Sequence, residues 1–389
     1  MKAVLFEAEY APREGYKLTE REKQTHKIRN GSQVWRNPKF SIADLPVPEP
    51  KADEVLIKVK ACGYCGSDVH CFETGPDGYV IYPATVAAPI VLGHEFSGVI
   101  EEVGSTVTGF KVGDLVTAEE MQWCGECIAC RSGLVNQCRT VEEIGFTENG
   151  GMAEYTVTKA RYVWKINDLL KRYGNEDKAF EAGAMVEPTG VAYNAIFNEA
   201  GGFRPGAYVV VFGTGPIGLC SIALVKAAGA TKVIAFEVGD TRAELARRFG
   251  VDKVFNPTAL AREGRSLADL ILEETDGDGA DMIVEASGVP ELVLPASTAA
   301  LAMDGKVVQI GRAPKPVTLD LEDFIVRGAT LAASIGHSGF GTFGNVIRLM
   351  AAGNIDVTPA ITGRYRLEDA LEGFERLGSR EDAKVMIRM

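Results

Sequence analysis

The stretch that most narrows the possible folds runs from Tyr208 to Glu237. An apolar run, Tyr208-Val209-Val210-Val211-Phe212, leads into Gly213-Thr214-Gly215-Pro216-Ile217-Gly218. A helical segment from Leu219 to Ala228 follows and stops at Gly229. A second apolar run, Lys232 to Phe236, ends in Glu237, 19 residues after Gly218. A lone G-x-G-x-x-G says little. With a strand before it, a helix after it and an acid at this distance, it predicts a dinucleotide-binding βαβ unit. The glycines permit a tight turn and bring a pyrophosphate close to the helix N-terminus, where free N–H groups and the dipole favour an anion. Gly213, Gly215, Pro216, Ile217 and Gly218 are therefore expected at the cofactor, with Glu237 accepting from the adenosine ribose hydroxyls. A 2′-phosphate there would meet a carboxylate, so NAD is expected over NADP. Arg242 complicates this expectation, because it lies five residues later and could approach the same ribose.

The alternation continues downstream. Helices are expected at 241–249 and 267–274, with strands at 253–255, 281–286, 306–310 and 330–335. Six strands joined by helical crossovers make a doubly wound parallel sheet. Ser287, just past the fourth strand, and Ile310, at the end of the fifth, are the remaining expected cofactor contacts. Helices near 343–352 and 368–377 and a strand at 384–387 close the pattern.

Upstream the character differs. Residues 1–60 read as β structure, and Pro46, Pro48 and Pro50 punctuate the approach to a strand at 55–60. Between them, Pro12 to Pro38 holds seven Lys/Arg and three Glu, which suggests a surface arm, a subunit contact or a lid near a polar substrate. Short strands interrupted by Gly93, Gly98, Gly104 and Gly113 suggest a compact, barrel-like β domain.

Within this region Cys65 and His94-Glu95 offer a thiolate, an imidazole and a carboxylate, a set suited to catalytic zinc with one open position. Ser67 follows the cysteine by two residues and His70 by five, where they could receive and relay a proton. Cys62 is expected to be buried packing. Cys124, Cys127, Cys130 and Cys138 can close a tetrahedral shell within one loop. Four thiolates leave no open position, so that zinc is structural. An iron–sulfur cluster fits less well, because the fourth cysteine comes late and no proline follows it.

The chain has 389 residues, 46% hydrophobic and 24% charged, enough for two domains. Its net charge of −12 argues against nucleic-acid or anionic-membrane partners. No membrane-spanning or signal-like apolar run is visible, so a cytoplasmic location is expected. Four clustered cysteines in a reducing compartment read as metal ligands rather than disulfides.

Taken together, Cys65-Gly-Ser-Asp-Val-His70, Gly93-His94-Glu95, the four-cysteine lobe and the dinucleotide fingerprint resemble the zinc-dependent medium-chain dehydrogenases, the alcohol, sorbitol and threonine dehydrogenase group. The resemblance spans nearly the whole chain. It implies an α/β protein with a GroES-like β-barrel catalytic domain at 1–189, a Rossmann NAD-binding domain at 190–335, and a return to the catalytic domain at 336–389. It also implies hydride transfer from a secondary alcohol to a nicotinamide, two zinc ions per chain, and a homodimer or homotetramer. Catalytic roles fall to Ser67, His70 and Glu95. Glu187, in Val186-Glu187-Pro188, stands where alcohol dehydrogenases carry a cysteine ligand and the sorbitol-like branch a glutamate. Glu95 and Glu187 would then share the remaining coordination with Cys65 and His94.

More narrowly, Gly31-Ser-Gln-Val-Trp-Arg36, Glu119-Glu-Met-Gln-Trp-Cys124, residues 186–194 and Gly336-His-Ser-Gly-Phe-Gly-Thr-Phe343 are similar to scyllo-inosose-type cyclitol dehydrogenases. The expected substrate is a cyclitol or polyol. Glu119, Glu120 and His337 are candidate polar pocket groups.

Overall fold

The computed structural model describes residues 1–313, 315–378 and 382–389. The chain divides into two compact units, Met1–Glu187 with Ile361–Met389, and Pro188–Ala360.

The second unit is built on a parallel sheet, six-stranded among the described residues. Its strand order is Lys253–Phe255, Lys232–Phe236, Tyr208–Phe212, Ala280–Glu285, Leu301–Gln309, Thr330–Ala333. This is the order 3-2-1-4-5-6 of a doubly wound sheet, and every neighbouring pair is parallel. Val209, Val210 and Val211 are wholly buried, as expected for a strand covered on both faces. Helix Pro216–Ala227 follows the first strand, with Pro216 at its first position, where no N–H is needed. The turn before it needs glycine. Gly213 has φ +82°, and a Cβ on Gly218 would lie 1.9 Å from the Gly213 carbonyl oxygen.

Two expectations shift here. The fifth strand begins at Leu301 rather than 306, because its start pairs with Ala280 across an irregular register. Residues 336–360 cluster with the second unit, so the return to the first begins at Ile361. The reason is the face of helix Thr342–Ala351. It buries Phe343, Val346, Ile347 and Met350, sets Phe343 against His337, and Asn345 donates to the Tyr193 hydroxyl.

Among the described residues the first unit holds a seven-stranded sheet whose main path runs Val163–Lys165, Leu115–Ala118, Glu95–Val103, Glu54–Gly63, Lys384–Arg388, Ile361–Arg366. Strand Tyr155–Lys159 also pairs with Glu54–Gly63. A three-stranded sheet joins Lys2–Tyr10 to Trp35–Asp44 and Ile90–Val91. Their shared core includes Phe6, Trp35, Val59, Tyr64, Phe96, Phe146 and Phe374. Helix Glu176–Ala184, which lacks a strong sequence signal, is tied to the returning strands. Glu181 accepts from Arg364 Nε at 2.6 Å and from Arg388 Nε at 2.8 Å.

The basic insertion is neither a free arm nor a bare surface loop. Helix Glu20–Thr25 starts with a capping box between Thr19 and Glu22. Lys27 reaches Glu142 at 2.9 Å and Glu148 at 2.7 Å. Ile28 and Val86 exchange backbone hydrogen bonds, Gly31 donates to the Ala84 carbonyl, and Ser32 to that of Tyr82. The insertion therefore braces the segment around residues 82–86.

Candidate functional site

Strand Glu54–Gly63 delivers Tyr64 and Cys65 to the start of helix Gly66–Phe72, while strand Glu95–Val103 begins at the end of Gly93-His94. Their register sets Gly63 opposite Glu95. Glycine is needed there, because a Cβ at 63 would lie 2.2 Å from Glu95 Oε2. Cys65, His94 and Glu95 each offer a ligand atom, and these lie within 4.8 Å of one another. His94, Glu120 and Glu187 meet the same condition.

Asp68 organises this corner. It is wholly buried, accepts the Cys65 backbone N–H at 2.8 Å, and sets Oδ1 3.6 Å from His94 Nδ1. Burial pushes its carboxyl up to about 6, opposed by His94. For His94, burial works against the charged form. The carboxylates of Glu120 and Asp68 and the Cys65 sulfur outweigh it, so the imidazole is held well above its ordinary value. Glu187 opens helix Val186–Tyr193 and is pushed well above the carboxylate range, by burial first, against His94 and with Glu95 and Glu120 adding.

Glu95 has a cation of its own. Lys384 Nζ lies 2.6 Å from each Glu95 carboxylate oxygen and donates to the Tyr64 carbonyl at 2.8 Å. Both side chains are 1% exposed. Burial opposes the ammonium, but Glu95 outweighs it and holds Lys384 above its ordinary value. With this charge committed to Glu95, Cys65, His94 and Glu187 offer a sulfur, an imidazole and a carboxylate, and Glu120 stands beside His94. That set fits a divalent zinc ion, which takes S, N and O ligands.

Ser67 and His70 are three apart on helix Gly66–Phe72, hence on one face of it, and both are half-buried. Cys62, on strand Glu54–Gly63, is wholly buried, and burial pushes its thiol up. The two acids at 119–120 part company. Glu119 is buried and accepts from Trp164 Nε1 at 2.9 Å, a structural role. Glu120 goes to the His94 cluster. The sequence pattern offered both equally, and the bend at 119–120, between strands Leu115–Ala118 and Met121–Gln122, separates them. Lys384 carried no local signal at all. Of the other candidate, His337, the ring is wholly buried against Phe343 in the second unit.

Cys124, Cys127, Cys130 and Cys138 come together. Four of their Sγ–Sγ distances are 4.0, 3.5, 4.0 and 3.6 Å. A tetrahedral shell with Zn–S of about 2.3 Å requires sulfurs about 3.8 Å apart. None is in a disulfide. The amides of Glu126 and Cys127 donate to Cys124 Sγ, both at 3.4 Å, and hold that thiol down at about 6. The apolar cluster around the sulfurs is small, with Val135 the only buried side chain besides Cys130 and Cys138 among the described residues. The lobe thus fits a structural zinc that replaces a missing core.

In the second unit, the predicted cofactor residues gather at the carboxyl ends of the strands. A Cβ on Gly213 would lie 2.7 Å from Ser287 Cα, and Ile310 follows the neighbouring strand. Glu237 accepts four hydrogen bonds. Thr214 N and Oγ1 reach Oε2 at 2.8 and 3.0 Å, and Val238 N and Gly239 N reach Oε1 at 2.8 and 2.9 Å. Arg242 stands beside the phosphate turn, 3.8 Å from where a Gly215 Cβ would lie. The fingerprint therefore fits a dinucleotide.

Among the described residues no helix is long and apolar enough to cross a membrane.

Comparison with known proteins agrees with this geometry. Residues 51–168 match the alcohol dehydrogenase GroES-like domain, and residues 216–352 the zinc-binding dehydrogenase domain. Scyllo-inosose 3-dehydrogenase of Thermotoga maritima is 42% identical over 388 residues, covering 97% of this chain and 96% of that one. L-threonine 3-dehydrogenase of Bacillus subtilis is 34% identical, covering 89% and 94%. A solved structure from Thermotoga maritima, 40% identical, superposes with a TM-score of 0.95 over all of both chains. The 2R,3R-butanediol dehydrogenase of Bacillus subtilis, 29% identical, gives 0.78 over 93% of this chain and 99% of that one. The chain therefore belongs to the zinc-dependent alcohol dehydrogenase family, oxidoreductases that act on CH–OH groups with zinc and a nicotinamide cofactor.

Proposed function

We propose that this enzyme oxidises a ring secondary alcohol of a cyclitol or a related polyol, with NAD⁺ as the hydride acceptor. The observation that carries the reading is the donor set around His94, where Glu120 and Glu187 bring two carboxylates to the imidazole. Similarity to a scyllo-inosose 3-dehydrogenase over nearly the whole chain supports the same substrate class.

Cys65, His94 and Glu187 hold the catalytic zinc in this reading. Glu95, clamped by Lys384, stands beside them as the group that can exchange onto the metal. When bound, zinc supplies Lewis acidity toward the substrate hydroxyl, and NAD⁺ accepts the hydride. Ser67 takes the hydroxyl proton and His70, on the same helix face, passes it toward solvent. The four-cysteine lobe holds a second, structural zinc. Gly213 to Gly218 receive the pyrophosphate at the helix N-terminus. Glu237, fixed by three backbone N–H groups, presents a carboxylate that disfavours a 2′-phosphate.

The molecule works as a homo-oligomer in a cytoplasmic setting. Helix Leu321–Arg327 buries none of its residues, and Leu321, Ile325 and Val326 are exposed on it just before the chain enters the sheet's terminal strand, Thr330–Ala333. An uncovered strand edge with apolar neighbours suits a second copy of the chain.

The deciding experiment is a panel of inositols, inososes, aminocyclitols, linear polyols, L-threonine, ethanol and benzyl alcohol with NAD⁺ and NADP⁺. Inositol-like rings with NAD⁺ should give the highest kcat/KM, and metal analysis should return two zinc ions per chain. Efficient turnover of ethanol or benzyl alcohol with no activity on any inositol-like ring would overturn the substrate. Comparable kcat/KM with the two cofactors would overturn the NAD assignment.

A further inference from the structure

We infer that Glu120 is the specificity-determining residue of this site, accepting a hydrogen bond from a substrate hydroxyl next to the one being oxidised. The inference rests on the polyol reading above and assigns its selectivity to one side chain.

Position is the first support. Strand Leu115–Ala118 ends just before the two acids, and only the second faces His94. The Glu120 backbone is fixed, since its carbonyl accepts the Ile144 N–H at 3.1 Å beside the short pairing of Met121–Gln122 with Glu142–Glu143. Its side chain is half-buried, whereas His94 and Glu187 are buried. Glu120 therefore stands on the more open side of the cluster, where a ligand arrives.

Stoichiometry is the second. In the reading proposed above, Cys65, His94 and Glu187 would be the three protein ligands of the catalytic zinc. A fourth permanent carboxylate would close the open position and leave a structural site. Glu95, the other nearby acid, has both oxygens on Lys384. Glu120 is then a carboxylate within reach of the substrate rather than a further metal ligand. Hydroxyl donation to an ionised carboxylate is a strong, short hydrogen bond. A mono-alcohol cannot make it, so a site that reads the second hydroxyl favours the diol. Wall rigidity adds to the selection. Tyr82 stacks on Phe146 at 5.0 Å, and Phe146 packs on His94 at 5.0 Å, so the aromatic side of the site is fixed.

The test compares 2,3-butanediol with 2-butanol, a pair that differs by the one vicinal hydroxyl, in wild type and Glu120→Gln. Zinc content, thermal melting and calorimetric binding of the diol to zinc-loaded protein without cofactor are measured alongside. Wild type should prefer the diol. Glu120→Gln should keep its zinc and its melting temperature, bind the diol about 10- to 100-fold more weakly, and lose diol kcat/KM by a similar factor. Its kcat/KM for 2-butanol should fall much less than that for the diol, so the diol preference drops about 10-fold or more. Loss of the catalytic zinc in Glu120→Gln would make the residue a metal ligand and overturn the inference. A parallel fall on both substrates, or no change on either, would overturn it too. Failure of the cyclitol reading is visible separately: wild type would then prefer the diol over 2-butanol while rejecting every inositol-like ring.

Discussion

At the scale of single residues, the Glu95–Lys384 pair decides how the site is charged. Two wholly buried ions attract strongly, but the larger effect appears when one is removed. Lys384→Ala leaves Glu95 buried and uncompensated, and should cost about 3–5 kcal/mol in chemical denaturation. Lys384→Met with Glu95→Gln should recover much of that loss, and a double-mutant cycle measures the coupling. Gly93-His94-Glu95 was legible in the sequence because its residues are adjacent and chemically distinctive. Lys384 was not, since it sits 289 residues away in an ordinary strand pattern. Glu120 was half-legible: the pair Glu119-Glu120 was visible, but which one reaches His94 depends on the bend between two strands and on Trp164 claiming the other.

At the scale of elements, the two additions to the β unit are held by different means. The cysteine lobe has almost no apolar core, so Cys127→Ser should lower its zinc content and the melting temperature together. The basic insertion is held by ion pairs and by Glu22, which is 1% exposed and bonded to Thr19, Tyr16 and the Arg29 amide. Burial works against the Glu22 carboxylate, but these hydrogen bonds outweigh it and hold it down at about 2. A depressed carboxyl stabilises the fold above its unfolded value of 4.5, and that contribution fades as pH falls toward about 2. Glu22→Gln should therefore destabilise the protein by about 1–3 kcal/mol at pH 7 and by much less near pH 2. Melting curves against pH for both proteins check this. The insertion read as a surface arm because its charges are local, while the acids that receive them, Glu142 and Glu148, lie more than a hundred residues on. The parallel sheet was read almost strand for strand, because buried βαβ units write apolar runs and glycine stops into contiguous sequence.

At the scale of the whole molecule, the uncovered Thr330–Ala333 edge and the exposed helix that precedes it should be shielded in an assembly. Light scattering should give a dimer or tetramer, and Ile325→Glu should shift it toward monomer without unfolding the sheet. The split of the first unit has a further consequence, for synthesis on the ribosome. Residues 188–360 form a continuous unit that can close as soon as it emerges. The strand Lys384–Arg388 fits between Glu54–Gly63 and Ile361–Arg366, and it comes after all of them. Until it is translated, the strand leading to Cys65 lacks a neighbour and Glu95 lacks its ammonium. This late strand thus acts as a closing stave, and the chemistry around Glu95 waits on a segment 289 residues downstream of it.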